Sequence, residues 1–344
     1  MPPPLPETTV EDLKQFLPQS GIPADVPLEV VSHHSGQSVL HVHHEGLDYT
    51  LKCFDRSAPH LAAAFHHEHS FYVYLNSLQT GHTAILLGSD EDQQILLLSR
   101  LTGRPLRAEE VNRSAVKSAA RFLVALNRKR DSQPAQACPP APDSCRSVAE
   151  HLTAISNQVT AVQQYQATVN PQTQALIEDE LNPIWEKTLR ETLSRFETSG
   201  IAVDTQLNEA SQILSPGEFG FHHAILTPEK DLCYVDYDQS GWDDPARVLN
   251  HFFTHGPISP KDDHWDAMIE PFLEIPGLDP HCAIRARLLL PAYQIAQASD
   301  LLLSSLTEHA RPLSEDEGHT HSKTKLIGKS HEARRWLMKA GRAF

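Results

Sequence analysis

The chain of 344 residues is 40% hydrophobic and 21% charged, a globular composition that excludes wholesale disorder, collagen and a disulfide scaffold. Its length suits about two domains, or one bilobal domain, since single cores stop growing near 250 residues. Lys+Arg of 29 against Asp+Glu of 44 leaves a net charge of −15, which phosphate backbones and anionic lipid repel, so neither nucleic acid nor membrane is expected as a partner.

Thr8 and Glu11 have capping-box spacing before Leu13, Phe16 and Leu17, which predicts a short opening helix. From about Leu28 to Phe54 the period shortens to two, with Val39, His41, His43 and then Tyr49, Leu51, Cys53 around Gly46, as a hairpin requires. A helix is predicted over Pro59 to Leu78, then strands near Ala84–Leu87 and Gln94–Leu98. Helical periodicity follows through Val111–Leu126, Val148–Val162 and Leu181–Leu189, interrupted at Ser132–Ser144, whose four prolines predict an exposed loop. Leu232–Tyr234 has the pattern of a strand, and Asp244 before Pro245 that of a helix start, the acid capping free amides and the proline occupying the first turn. Helices through Val248–Phe252 and Arg285–Leu306, a polar break at Ser314–Gly318 and a basic surface helix over Lys323–Arg342 complete the chain.

No apolar run approaches the ~20 residues that span a bilayer. The opening Met1-Pro2-Pro3-Pro4-Leu5-Pro6 lacks a basic region before an apolar core, so a cytoplasmic location is expected. Cys53, Cys138, Cys145, Cys233 and Cys282 are scattered and odd in number, which fits reduced thiols.

Spacing of four, three, four and three puts Leu61, Phe65, Glu68, Tyr72 and Leu75 on one helix face, so a carboxylate sits in an apolar stripe. Desolvating it costs several kcal/mol unless a cation and hydrogen bonds meet it. Lys52, between Leu51 and Cys53 in the preceding strand, is the candidate partner, and a strand lysine with an inward helix glutamate is the pair kinase-like folds use to hold nucleotide phosphates. On these two residues alone an exposed lysine and a glutamate at the stripe's edge is the simpler account.

Three later blocks add to it: Leu214-Ser215-Pro216-Gly217-Glu218-Phe219-Gly220-Phe221-His222-His223, then Leu232-Cys233-Tyr234-Val235-Asp236-Tyr237-Asp238, then Gly241-Trp242-Asp243-Asp244-Pro245. With Ile95–Gly103, Val148–Leu152 and Arg285–Tyr293, they make the chain resemble the aminoglycoside phosphotransferase and choline kinase group over roughly Val31 to Leu306. Closest is a bacterial branch with a Ser-Pro-Ser-Asp-Phe-Gly-Phe-His-Asn loop. The resemblance implies an α+β, protein-kinase-like bilobal fold: a small antiparallel-sheet lobe with one main helix at 1–102, and a larger, mostly helical lobe with the catalytic loop and metal strand at 103–344. It implies ATP and magnesium as cofactors, with Lys52 on the phosphates, Glu68 orienting Lys52, and Asp236 holding the metal. Ser99 to Leu101 would pair with adenine, and the stretch from Val31 to Ser38, including Gly36 and Ser38, would form the phosphate loop. The activity implied is phosphoryl transfer to a hydroxyl of a small molecule, an amino sugar or similar, chosen by insertions near Ser144–Phe196 and Pro260–Pro280. Oligomeric state is left open.

Two positions depart from the family pattern. Glu218 stands where the family has the aspartate that accepts the substrate proton, keeping the basicity but moving the carboxylate outward by one methylene. His223 stands where it has a metal-binding asparagine, although magnesium prefers hard oxygen ligands. These changes bring forward a catalytically silent kinase fold that binds nucleotide or a partner protein, and a third account keeps the fold but transfers a nucleotidyl group. The 21 histidines include the runs His41–His44, His66–His69 and His222–His223, which are expected on polar faces rather than around a metal.

Overall fold

The structure, a computed structural model, describes residues 5, 7–165, 171–310 and 319–343. Strands are β1 (Leu28–His34), β2 (Gln37–His44), β3 (Leu47–Phe54), β4 (Leu86–Asp90), β5 (Ile95–Ser99), β6 (Arg104–Pro105), β7 (Ile213–Ser215), β8 (Ala224–Leu226), β9 (Leu232–Tyr234) and β10 (Gly241–Asp243). Helices are α1 (Glu7–Gln19), α2 (Pro59–Leu78), α3 (Arg113–Leu126), α4 (Gln133–Gln136), α5 (Val148–Gln164) and α6 (Pro171–Ala175). They continue with α7 (Asn182–Ser199), α8 (Pro245–Thr254), α9 (Trp265–Phe272), α10 (Cys282–Ala310) and α11 (His319–Gly341). This is the α+β class expected from the sequence. Among the described residues no helix is long and apolar enough to cross a membrane, and all five cysteines are buried and outside any disulfide.

Two compact units divide the chain: Met1–Ser144 with Ile213–Asp243 and Gly256–Gly277, and Cys145–Gln212 with Asp244–His255 and Leu278–Phe344. The first holds a five-stranded antiparallel sheet of order β1-β2-β3-β5-β4. The predicted hairpin is a three-strand meander whose turns are Ser35-Gly36 (φ 51° and 81°) and Glu45-Gly46 (φ 51° and 78°), the left-handed pair that matches strand twist in two-residue connections.

Alternation sorts the sheet's two faces. Leu40, Val42, Leu51, Cys53, Ile95 and Leu97 pack with Leu13, Phe16 and Leu17 of α1, while Val39, His41, Thr50, Lys52 and Leu98 line a cavity on the other side. The opening helix begins at Glu7, so Thr8 lies inside its first turn rather than at the cap.

Ser132–Ser144 departs from the exposed loop that its prolines predict. Ala135, Cys138 and Ala141 are buried, and Pro140 bridges to Trp242, because small side chains let the backbone pack closely.

In the second unit α5, α7, α10 and α11 share a core that includes Ile155, Val159, Phe196, Leu289, Ile295 and Leu302. The basic C-terminal segment is not merely a surface helix: Ala333, Leu337 and Ala340 of α11 are fully buried in that core, while Arg334 and Arg335 are exposed. The polar break predicted at Ser314–Gly318 lies outside the described residues.

Asp244 caps α8 as the Asp-Pro pair predicts, accepting from the Ala246 N–H at 2.7 Å. It also centres a buried ionic network, with Arg285 donating to Oδ1 at 2.6 Å and His151 Nε2 at 3.1 Å from Oδ2. The other ring nitrogen of His151 meets the Tyr293 hydroxyl at 2.6 Å. Burial by itself lowers the pKa of His151, but hydrogen bonds to Asp244 and Cys145 outweigh it and raise it from 6.5 to about 9.

A histidine raised in this way stabilises the fold fully below pH 6.5 and ceases to do so as pH rises through about 9. Urea unfolding should therefore show stability falling between these limits, with a smaller fall in Asp244→Ala. That variant should also lose about 3 kcal/mol at neutral pH, because buried His151 loses its counter-charge while Arg285 keeps only Asp279, at 3.2 Å.

Candidate active site

Three elements of the first unit bring charge to one point. Lys52 on β3 pairs across the sheet with Val39 and Leu96, which turns its side chain to the cavity face. Its Nζ donates to Glu68 Oε2 of α2 at 2.5 Å and to Asp236 Oδ1, just past β9, at 2.6 Å. Lys52 and Glu68 side chains are 8% and 1% exposed and that of Asp236 is 37%, so the lysine–glutamate half lies inside the protein and the aspartate half faces the cavity.

Local packing sets these positions. Tyr237 is fully buried, donates to the Tyr234 carbonyl at 2.6 Å, and packs on Phe71 and Tyr72 of α2 at 5.0 and 5.2 Å between ring centroids. The ring thereby fixes the loop beside the helix turn that carries Glu68. Asp236, immediately before it, has φ of 71°, the left-handed region that aspartate tolerates better than most residues and that recurs at functional sites. On the loop after β7, Gly217 has φ of 86°, and a Cβ there would lie 2.5 Å from the Gln239 carbonyl carbon. Glycine lets the two loops touch. Phe219 stacks on Phe122 at 5.9 Å and anchors this loop from below, leaving Glu218 exposed.

One ammonium among the carboxylates of Glu68, Asp236 and Asp238 leaves surplus negative charge. Burial works against the Lys52 ammonium, but Glu68 and Asp236 outweigh it and hold its pKa above that of an ordinary lysine. Burial pushes the Glu68 carboxyl up to about 7 against the pull of Lys52. Asp236 goes the other way, because Lys52 and His223 outweigh its own desolvation. Burial and the charge of Asp236 push Asp238 up, and Glu218 adds to this. The lysine stays charged, and the most buried acid absorbs the excess.

The cavity above this cluster holds about 450 Å³. Val39, Ala84, Leu98, Leu101 and Ile225 give it apolar walls, with Lys52, Glu68, His223 and Asp236 at its polar end. That combination, apolar walls with a few convergent polar groups, is typical of small-molecule sites. Along Ser99–Leu101 the first two amides are engaged, Ser99 N–H with the Ile85 carbonyl at 2.9 Å and Arg100 N–H with the Asp48 carbonyl at 3.2 Å. The Leu101 N–H has no partner among the described residues, so a donor is available at the cavity's edge.

Of the sequence-predicted site residues, Lys52, Glu68, Asp236, His223, Ser99 and Leu101 line the cavity together. His223 Nδ1 is 3.6 Å from Asp236 Oδ2. Glu218, Gly36 and Ser38 are not among the lining residues. The Ser35-Gly36 turn closes on α2, where a Cβ on Gly36 would meet Leu61 Cδ1 at 2.6 Å, and Ser38 lies on the core side of β2, bonded to His33 at 2.8 Å. Ser32, His34 and Gln37 take the cavity side instead.

Asp238 is an addition to the predicted set, and its partner Gln37 lies within the predicted Val31–Ser38 stretch. Gln37 Nε2 donates to Asp238 Oδ2 at 2.8 Å, joining the first strand turn to the loop after β9. The alternation Asp-Tyr-Asp, which puts Asp236 and Asp238 two residues apart around a buried ring, is the signal that could have found Asp238.

No family model matches the sequence, and no curated protein matches it. Solved structures do match. A choline/ethanolamine kinase family protein from Mesorhizobium loti is 12% identical, with 97% of this chain and 98% of that one aligned at a TM-score of 0.54. The macrolide 2'-phosphotransferase of Brachybacterium faecium is 16% identical over 94% of this chain and 98% of that one, with a TM-score of 0.53. A spectinomycin phosphotransferase in complex with ADP and spectinomycin is 10% identical over 94% and 98%, with a TM-score of 0.58. At these identities the likeness is one of fold. The chain has the kinase-like fold that aminoglycoside phosphotransferases and choline/ethanolamine kinases share.

The ionic cluster makes a thermodynamic prediction. Lys52→Met should cost about 3–5 kcal/mol, since it strands Glu68 in the interior. Adding Glu68→Gln should restore part of this, so that urea unfolding shows the two changes non-additive by about 2 kcal/mol. Ionising Glu68 becomes a burden as pH rises from 4.5 through about 7, so the deficit of the single variant should shrink at pH 5.

Proposed function

We propose that the protein is an ATP- and magnesium-dependent phosphotransferase acting on a hydroxyl group of a small molecule, such as an amino sugar. The observation that carries this reading is the Lys52–Glu68–Asp236 cluster at the polar end of an otherwise apolar cavity. Residues 1–102 form the nucleotide-binding lobe in this reading, and 103–344 carry the catalytic loop and metal strand. The neighbours of known structure support nucleotide use, two of them having been solved with ADP beside an antibiotic.

Adenine lies along Ser99–Leu101 and takes a hydrogen bond from the Leu101 amide. Lys52 donates to the phosphates, and Glu68 holds its ammonium in place. The carboxylates of Asp236 and Asp238 are hard oxygen donors with negative charge in excess of Lys52, which suits magnesium, and they would hold it. A magnesium ion held there would supply positive charge to offset that of the phosphates and the transferred group. Glu218, on the adjoining loop, accepts the proton of the attacking hydroxyl.

A second reading has a specific observation behind it. His223 presents an imidazole 3.6 Å from Asp236, where magnesium calls for oxygen, and Glu218 carries its carboxylate one methylene further out than aspartate. Both favour a protein that binds nucleotide without turning it over.

ATP with magnesium should raise the melting temperature by several degrees, and Asp236→Asn should abolish the shift. The absence of any shift in the parent, together with no heat of nucleotide binding, ends the first reading and the second alike. If the parent binds but does not turn over, Glu218→Asp with His223→Asn should gain phosphate release, and measurable turnover by the parent sinks the silent alternative.

A further inference from the structure

The first unit contains a second large cavity, of about 1020 Å³, bounded by the N-terminal half of α3 and by the β8–β9 hairpin. It shares no lining residue with the nucleotide cavity. Arg104, Lys117, Arg121 and Lys230 line it against only two carboxylates, Glu110 and Asp231. A cationic hollow in a chain of net charge −15 runs against the average surface, and four like charges converging on one space repel unless something neutralises them.

The charges are unequally satisfied. Arg104 is committed to Glu110 through two bonds of 2.5 and 2.7 Å. Lys117 lies 3.2 Å from Glu270, but both side chains are well exposed and such pairs contribute little. Arg121 and Lys230 have no side-chain partner among the described residues. Lys117 and Arg121 are four apart on α3, a like-charged pair that disfavours the helix by a few tenths of a kcal/mol. Ser114, Ser118 and Arg121 follow one another at four and three residues, so two hydroxyls share the helix face with the guanidinium. Lys230 projects from the hairpin turn opposite, where its backbone has φ of 70°. The donors are an arginine fork, two ammoniums and hydroxyls, a set matched to phosphate oxygens, which only accept.

We propose that this cavity binds a small, multiply charged phosphate compound at a site separate from the nucleotide cavity. A compact ligand is required, because an extended polyanion would meet the repulsion of the remaining chain. Arg121 and Lys230 carry the recognition, with Lys117 and the α3 hydroxyls completing it. The proposal is independent of whether the Lys52 site turns over ATP.

Inorganic tripolyphosphate, titrated calorimetrically into the full chain in EDTA, is the probe. One site should appear, weakened at least tenfold in Arg121→Ser/Lys230→Ser with an unchanged melting temperature, and retained in Lys52→Met/Glu68→Gln. No heat at millimolar probe, equal binding by the Arg121/Lys230 variant, or loss in the Lys52/Glu68 variant alone overturns the proposal. Should the latter variant fail to fold, amide exchange in the parent decides. Protection by tripolyphosphate at 113–121 and 226–232 supports the site, and protection confined to 31–38 and 236–238 refutes it.

Discussion

A single buried ammonium ties together a strand, a helix and a loop that are far apart in the chain. Lys52 reaches Glu68, sixteen residues on, and Asp236, 184 residues on. Glu68 tolerates the apolar interior of α2 because that ammonium meets it, and the loop after β9 is drawn to the same point from the other end of the unit. Desolvation makes the arrangement demanding, since each member destabilises the protein if left without the others. The surplus of carboxylate over ammonium also makes the cavity's polar end receptive to further positive charge.

The sheet prepares this by sorting its residues. Because side chains alternate, one register places Leu40 and Leu51 against α1, and Val39 and Lys52 toward the cavity. A slip of one residue would carry Lys52 into the hydrocarbon of α1, so the Ser35-Gly36 and Glu45-Gly46 turns that pin the register also keep Lys52 on the cavity side. Tyr237 performs a comparable service on the opposite side, converting aromatic packing on α2 into the placement of its neighbours Asp236 and Asp238.

What the sequence reveals follows from how far each feature depends on local pattern. Glu68 is legible because helical spacing exposes a charge in an apolar row, and Asp236 because an apolar strand ends at it. Lys52 alone is ambiguous, as half of all strand positions face away from a core. Gln37 and Asp238 meet across 201 residues, and no local periodicity signals that meeting. Proline and polar residues at Ser132–Ser144 suggest an exposed loop, whereas the buried contacts come from alanines and cysteines small enough to be overlooked. In α11 the abundance of lysine and arginine masks a stripe of Ala333, Leu337 and Ala340 that is visible once the helix is laid against α10.

The opening helix has a consequence out of proportion to its distance from the chemistry. Every residue lining the cavity beside Lys52 lies at Val31 or beyond, so a shortened polypeptide starting near Leu28 would retain the full set. Yet Leu40, Val42, Leu51, Ile95 and Leu97 would then present a wet, greasy plane where Leu13, Phe16 and Leu17 had covered them, a surface on which copies stick to one another. The cavity face of the sheet thus owes its solubility to a segment that contributes none of the cavity's lining residues.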